Sequence, residues 1–181
     1  LSEVEAAVRA IEKAGKVDLV LLHCVSNYPA DSADVNLMAM QTMSTAFGVP
    51  VGYSDHTPGI EVALAAVALG ACVIEKHLTL DRSLPGPDHL ASLEARDFVA
   101  MLRGIRTVES ALGHGRKEPA ASEANTASVA RKSLVAARDI SAGEALTEEL
   151  IAIKRPGTGL PPAMRPYLIN RTLRVDLLAG S

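Results

Sequence analysis

Apolar positions along this chain change their period several times, and each change marks an element. In SEVEAAVRAIEKA, residues 2 to 14, Val4, Ala7, Val8 and Ile11 recur at helical spacing. Ser2 and Glu5 have capping-box spacing there, and Gly15 can end the helix. VDLVLLHC, 17 to 24, is a short unbroken apolar run, the pattern of a parallel strand covered on both faces. A loop with Pro29 leads into a helical stretch at 35 to 47, where Leu37, Met40 and Met43 read as core packing. PVGYSDH (50 to 56) is a second strand, IEVALAAVALG (60 to 70) a helix and ACVIEKHLTL (71 to 80) a third strand. A longer helix at 93 to 113 sets Phe98, Met101, Leu102, Ile105, Val108 and Leu112 on one face.

Strands recurring at the repeat length of βα units predict an α/β layer with a parallel sheet. Three such strands leave two edges unpaired and one face open, and a helix comes first, so residue 1 is not expected to be the natural start. HGRKEPAASEANTAS, 114 to 128, is polar and without apolar periodicity, as a linker is. From 129 to 181 short β-like runs alternate with Gly and Pro, predicting a small domain that gains by docking on something larger. The expected division is therefore 1–113, 114–128 and 129–181.

Composition narrows the classes. With 48% apolar residues the chain is expected to fold rather than stay disordered. A net charge of -3 offers no basic footprint, so no nucleic-acid partner is expected. No apolar run reaches a membrane span and no signal peptide opens the chain, which predicts a cytoplasmic protein without a membrane partner. Cys24 and Cys72 are too few and too far apart for a disulfide framework, and their apolar surroundings predict buried thiols in a reducing cytosol.

The chemistry gathers at strand ends. Residues two apart on a strand share a face, so Ser54 and His56 point one way, as do Glu75 and His77. Both histidines come at the carboxyl ends of their strands, where α/β folds bind ligands. Two neutral imidazoles from neighbouring strands, beside a carboxylate, are a start to a divalent metal site with open positions. A strand-end histidine is more often a hydrogen-bonded structural residue. SLPGPDHLASLE (83 to 94) adds Asp88 and His89 after a Pro-Gly-Pro turn, either as site groups or as a plain connection. Ser26 and Tyr28 follow the first strand, where the tyrosine can plug a barrel mouth or hydrogen-bond a sugar. Lys154 and Arg155 stand on the Gly/Pro-rich turn KRPGTG, solvated or aimed at an anion or an amide carbonyl.

LLHCVSNYPA, VGYSDHTPGIEVALAAVALGA, VIEKHLTLDRSLPGPDHLASLE and KSLVAARDISAGEALTEELIAIKRPGTG together resemble the sialic acid synthase family, which makes N-acetylneuraminate and the bacterial legionaminic and pseudaminic acids. The resemblance implies about three C-terminal βα units of a (β/α)8 TIM barrel, followed by a small β-rich antifreeze-like (SAF) domain. It implies a metal-dependent condensation of phosphoenolpyruvate with an N-acylmannosamine-type sugar, releasing phosphate, with manganese or magnesium as cofactor. His56 and His77 match the metal ligands, and Glu75 a carboxylate of the same site. Ser54 matches a residue near the phosphoenolpyruvate phosphate, and Ser26 and Tyr28 match a pair facing both substrates. Asp88 matches a carboxylate on sugar hydroxyls. Arg155 matches an arginine that the partner's capping domain supplies in a domain-swapped homodimer. On this resemblance, the charges in VIEKHLTLD are compensated by a metal and an anionic substrate.

Pro58 and Leu78 depart from the family's commoner Leu and Phe without removing a functional group. The family's phosphoenolpyruvate-gripping lysines and catalytic glutamate lie on upstream strands, so the isolated fragment is expected to be inactive. HCVSNYP and GPDH resemble the legionaminate-type members slightly more. The competing readings are a non-catalytic carbohydrate- or protein-binding remnant that kept its capping domain, and a related metal-dependent barrel aldolase.

Overall fold

Residues 1–15 and 18–181 are described by the structure, a computed structural model. The chain divides into two units, Leu1–Gly115 and Arg116–Ser181. At the centre of the first unit, β1 (Leu21–Cys24), β2 (Val51–Asp55) and β3 (Ile74–Lys76) form a parallel sheet in the order β1-β2-β3. Its register sets Cys24 beside Ser54, Ser54 beside Glu75, and Asp55 beside Lys76. The predicted first strand is shorter than expected, since 18 to 20 are not in it and Val17 lies outside the described residues.

The helices are α1 (Ser2–Ala14), α2 (Ala39–Phe47), α3 (Glu61–Ala68), the single turn α4 (Asp88–Ala91) and α5 (Ala95–Leu112). The predicted capping box on α1 does not form: Leu1 is the cap residue without a side-chain bond, and Glu5 instead pairs with Arg9 one turn on. Gly15 ends α1 as expected, its amide donating to the Glu12 carbonyl. Gly48 ends α2 in the left-handed conformation, φ 66°, which lets its amide donate back to the Ser44 carbonyl. One face of the sheet packs on these helices. Tyr53 and Val51 from β2 meet Met40 and Met43 of α2 and Ala66 of α3, while Ala63 and Val67 meet Met101 and Ile105 of α5. Burial of these largely apolar side chains is the dominant stabilising term for the unit. The face expected on α5 is narrower than its periodicity, because Leu102 and Leu112 are exposed.

The predicted third strand is broken at His77. β3 stops at Lys76, and β4 (Leu78–Thr79) pairs in parallel with β5 (Leu93–Glu94) instead. His77 lies at the join, its carbonyl accepting the Leu93 amide at 2.9 Å. The two cysteines are exposed, contrary to the expected burial. Cys24 shares its face with Ser54, away from the helices, and Cys72 precedes β3 rather than lying within it.

In the second unit, the alanine-rich AASEANTASVA supports α6 (Ala124–Ala130) within and beyond the polar stretch expected as a linker. β6 (Ser133–Ala136) and β7 (Ile151–Lys154) pair antiparallel, and α7 (Arg165–Leu168) follows. Leu134, Ile140, Leu146, Leu150 and Ile151 form this unit's own core. No helix among the described residues is long and apolar enough to cross a membrane.

Candidate functional site

Strand alternation decides which groups meet. On β2, Tyr53 and Asp55 face the helices, so Ser54 and then His56 face the other way, and the register gives the same division to Ile74 and Lys76 against Glu75 and His77. The Ser54 hydroxyl donates to Glu75 Oε1 at 2.7 Å, bridging the two strands one residue short of their ends. Beyond it the rings of His56 and His77 lie 5.2 Å apart between centres, inclined at 58°.

His56 is buried and oriented from behind. Its Nδ1 lies 2.8 Å from the Val25 carbonyl oxygen, which can only accept, so in the neutral ring Nδ1 carries the proton and Nε2 keeps its lone pair. The Cys24 thiol stands 3.7 Å from the same Nδ1. The backbone answers in kind, with the Ala30 amide donating to the His56 carbonyl at 3.0 Å, and these two bonds hold the loop after β1 against the end of β2. Tyr28 is carried on that loop. Its ring lies 4.0 Å from that of His56 and meets His77 edge-on at 5.6 Å, contacts of a kind worth roughly 0.5–1.5 kcal/mol beyond area burial.

The predicted residues thus divide. Ser54 and Glu75 are hydrogen-bonded, and Tyr28, His56 and His77 form one aromatic cluster. Ser26 is exposed in the loop after β1, and Asp88 is exposed at the first position of α4. His89, beside Asp88, is tied down structurally, with Nδ1 2.8 Å from the Thr79 hydroxyl. Arg155 belongs to the second unit, where its Nε donates to the Ala130 carbonyl at 2.9 Å and its side chain is exposed. A cavity of about 690 Å³ lies elsewhere, at the amino-terminal ends of β1 and β2, lined by Ile11, Glu12, Leu19, Val20, Val49 and Pro50. It brings together none of the groups above, so the candidate site is the open strand-end face.

One expectation about charge is corrected. The Lys76 side chain is fully buried and is compensated by Asp55, at 2.9 Å, and by the Thr57 carbonyl, all within the protein. Glu75, unlike Lys76, is exposed. Sequence reasoning assigned no role to Asp55, Thr57 or Lys76. The signal was available in the alternation, which sets Asp55 and Lys76 on one face just as it sets Ser54 and Glu75 on the other.

The ring-centre separation of His56 and His77 is close to the roughly 5 Å that two ligand nitrogens about 2.1 Å from one ion impose, and the Val25 carbonyl leaves the lone pair of His56 on Nε2. Among the described residues no group of three or more His, Cys, Asp or Glu side chains is arranged to hold a metal, and His56 and His77 are the residues here that would hold one.

A parallel sheet backed by helices, with titratable groups gathered where its strands end, is the ligand-binding arrangement of α/β barrels. The chain belongs to the NeuB family, whose model matches residues 1–117, and a SAF domain matches residues 131–181. The α/β unit and the SAF match fit a portion of a TIM barrel followed by a SAF domain. It is 48% identical over 163 residues to the N,N'-diacetyllegionaminic acid synthase of Legionella pneumophila, covering 90% of this chain and 46% of that protein. It is 40% identical over 163 residues to the pseudaminic acid synthase of Campylobacter jejuni, covering 90% and 47%. A solved N-acetylneuraminic acid (sialic acid) synthetase from Leptospira borgpetersenii superposes with a TM-score of 0.61 at 46% identity, over 69% of this chain and 44% of that one. The chain spans about half the length of the curated relatives it matches.

Proposed function

We propose that this chain supplies the metal- and sugar-binding side of a sialic-acid-type synthase. The reaction joins carbon 3 of phosphoenolpyruvate to the aldehyde carbon of an N-acylmannosamine-type sugar. Water adds at carbon 2, and phosphate departs as its carbon–oxygen bond breaks, giving a nine-carbon 2-keto acid. The relatives, named as legionaminic, pseudaminic and N-acetylneuraminic acid synthases, support the class, and the observation that carries the site is the His56–His77 pair.

His56 and His77 would hold a divalent cation, manganese or magnesium, which would supply Lewis-acid stabilisation of the charge that develops on the aldehyde oxygen. His56, its tautomer set by the Val25 carbonyl, presents Nε2 to that centre. Glu75, oriented by the Ser54 hydroxyl, stands on the same face as His77 and serves to hold a water or move its proton. Ser54 also lies toward the phosphate of phosphoenolpyruvate. Tyr28 covers His56 and, with Ser26, flanks both substrates. Asp88 accepts from sugar hydroxyls. Arg155, in a domain-swapped homodimer, reaches the sugar's acyl carbonyl from the second copy's SAF domain.

The test is a chimera in which residues 1–181 replace the matching half of the Legionella relative. It is expected to release phosphate from phosphoenolpyruvate only with a divalent metal and an N-acylmannosamine-type sugar present, whereas the 181-residue chain by itself does not turn over. In the chimera, His56→Ala or His77→Ala is expected to remove activity by about a thousandfold while leaving the fold intact. Retained turnover in the folded His77→Ala chimera would overturn the assignment.

A further inference from the structure

Lys76 and Asp55 carry opposite charges into a place where neither side chain touches solvent. Lys76 Nζ donates to Asp55 Oδ2 at 2.9 Å and to the Thr57 carbonyl. Asp55 Oδ1 accepts in turn from the Thr57 amide at 2.9 Å and the Thr57 hydroxyl at 2.8 Å. Asp55 and Thr57 bracket His56 in the chain, and Lys76 immediately precedes His77. One ammonium group therefore grips both sides of one imidazole-bearing residue from the residue next to the other.

Stability alone is a poor account of this pair. Desolvation offsets much of the attraction between two buried charges, and apolar side chains of similar volume often hold a fold as well or better. What the ion pair adds is register. A one-residue slip of β3 against β2 would turn Lys76 away from Asp55, leave a buried carboxylate unpaired, and send His77 to the helix-facing side.

We infer that Asp55 and Lys76 are positioning residues that fix the spacing and heading of the His56 and His77 rings from the far face of the sheet. Their effect on metal binding rests on the function proposed above; the fixing of the rings does not. The pair touches neither imidazole through its side chains, so it acts through the backbone at 55, 57 and 76.

The experiment uses the 181-residue chain and two double variants, Asp55→Leu with Lys76→Met, and Asp55→Asn with Lys76→Gln. The first removes both charges at similar volume, and the second keeps polar groups, so a collapse of one leaves the other for comparison. Far-ultraviolet circular dichroism and thermal unfolding report the fold. Ring placement is read without metal, from nuclear Overhauser contacts between the His56 and His77 imidazole protons, and metal affinity from manganese titration followed by electron paramagnetic resonance. Folded variants are expected to lose at least half of the inter-ring contact intensity and to bind manganese roughly tenfold more weakly, the scale on which outer-shell supports act. Inter-ring contacts of parental strength in a folded double variant, or their absence from the parent, would overturn the inference. A parent that shows the contacts but binds no manganese would instead sink the proposed metal site and leave the positioning role standing.

Discussion

His56 and His77, each the residue that follows a parallel strand, hold their ring centres 5.2 Å apart although they stand 21 positions apart in the chain (77 − 56). Adjacent strands in register deliver that proximity, and the carbonyl of Val25 decides which nitrogen of His56 is left to bind. Manganese is accordingly expected to bind the 181-residue chain at one site. Replacing either histidine by alanine should weaken binding by more than the roughly 10–100-fold that outer-shell changes cause. Isothermal titration with the two single variants checks this, and equal affinities in parent and variants would place the ion elsewhere.

Tyr28 shields His56 through its ring rather than its hydroxyl. Tyr28→Phe should therefore leave the rate at which diethylpyrocarbonate modifies His56 near the parental value, while Tyr28→Ala should raise it several-fold. The lost ring contacts are of the order of 1 kcal/mol. Peptide mapping of the modified histidine separates the two outcomes.

Tyr53 has no solvent exposure, and its hydroxyl lies beside Asp55 without a hydrogen bond of acceptable geometry among the described residues. Burial, and then the neighbouring Asp55 carboxylate, push its ionisation far above the ordinary tyrosine range. A raised value in the folded state means that stability is complete below the unfolded value of about 10 and falls as pH rises beyond it, because only the unfolded chain then releases the proton. Tyr53→Phe should flatten the decline in urea midpoint between pH 9 and pH 11. At neutral pH it should be neutral or stabilising by up to about 1 kcal/mol, since an unpaired buried hydroxyl is removed.

Glu144 offers a matching test in the second unit. The Arg138 guanidinium, hydrogen-bonded at 2.5 Å, holds its carboxyl below the ordinary range. The pair's contribution is present above the unfolded carboxylate value of about 4.3 and disappears as pH falls through the lowered folded value. Carboxyl carbon titration by magnetic resonance should show the depressed midpoint, and Arg138→Ala should return it to the usual range.

Much of the architecture was legible because period reports burial. Helices at 2–14, 39–47, 61–68 and 95–112 follow the apolar spacing that gave them away, and the β2 alternation correctly put Ser54 with His56. The failures have physical causes. Leu102 and Leu112 continue a helical stripe that the narrow contact with α3 does not cover, so hydrophobicity alone overstated the core. The apolar run from 71 to 80 hid a change of pairing partner at His77, since a strand that leaves one neighbour for another keeps its composition. Helix α6 forms in a polar stretch because alanine favours helix even where no apolar face announces it.

Residue types and their order fixed which side chains could share a face, because the pleat repeats every two residues whatever the rest of the protein does. That is why Ser54, His56, Glu75 and His77 could be named together from the chain alone. The strand register, the tautomer of His56, the ring of Tyr28 laid over it and the burial of Lys76 against Asp55 and Thr57 were decided only by tertiary structure. Each depends on groups distant in the chain brought within a few ångströms, and hydrogen bonds and ion pairs are set by that distance and direction rather than by composition.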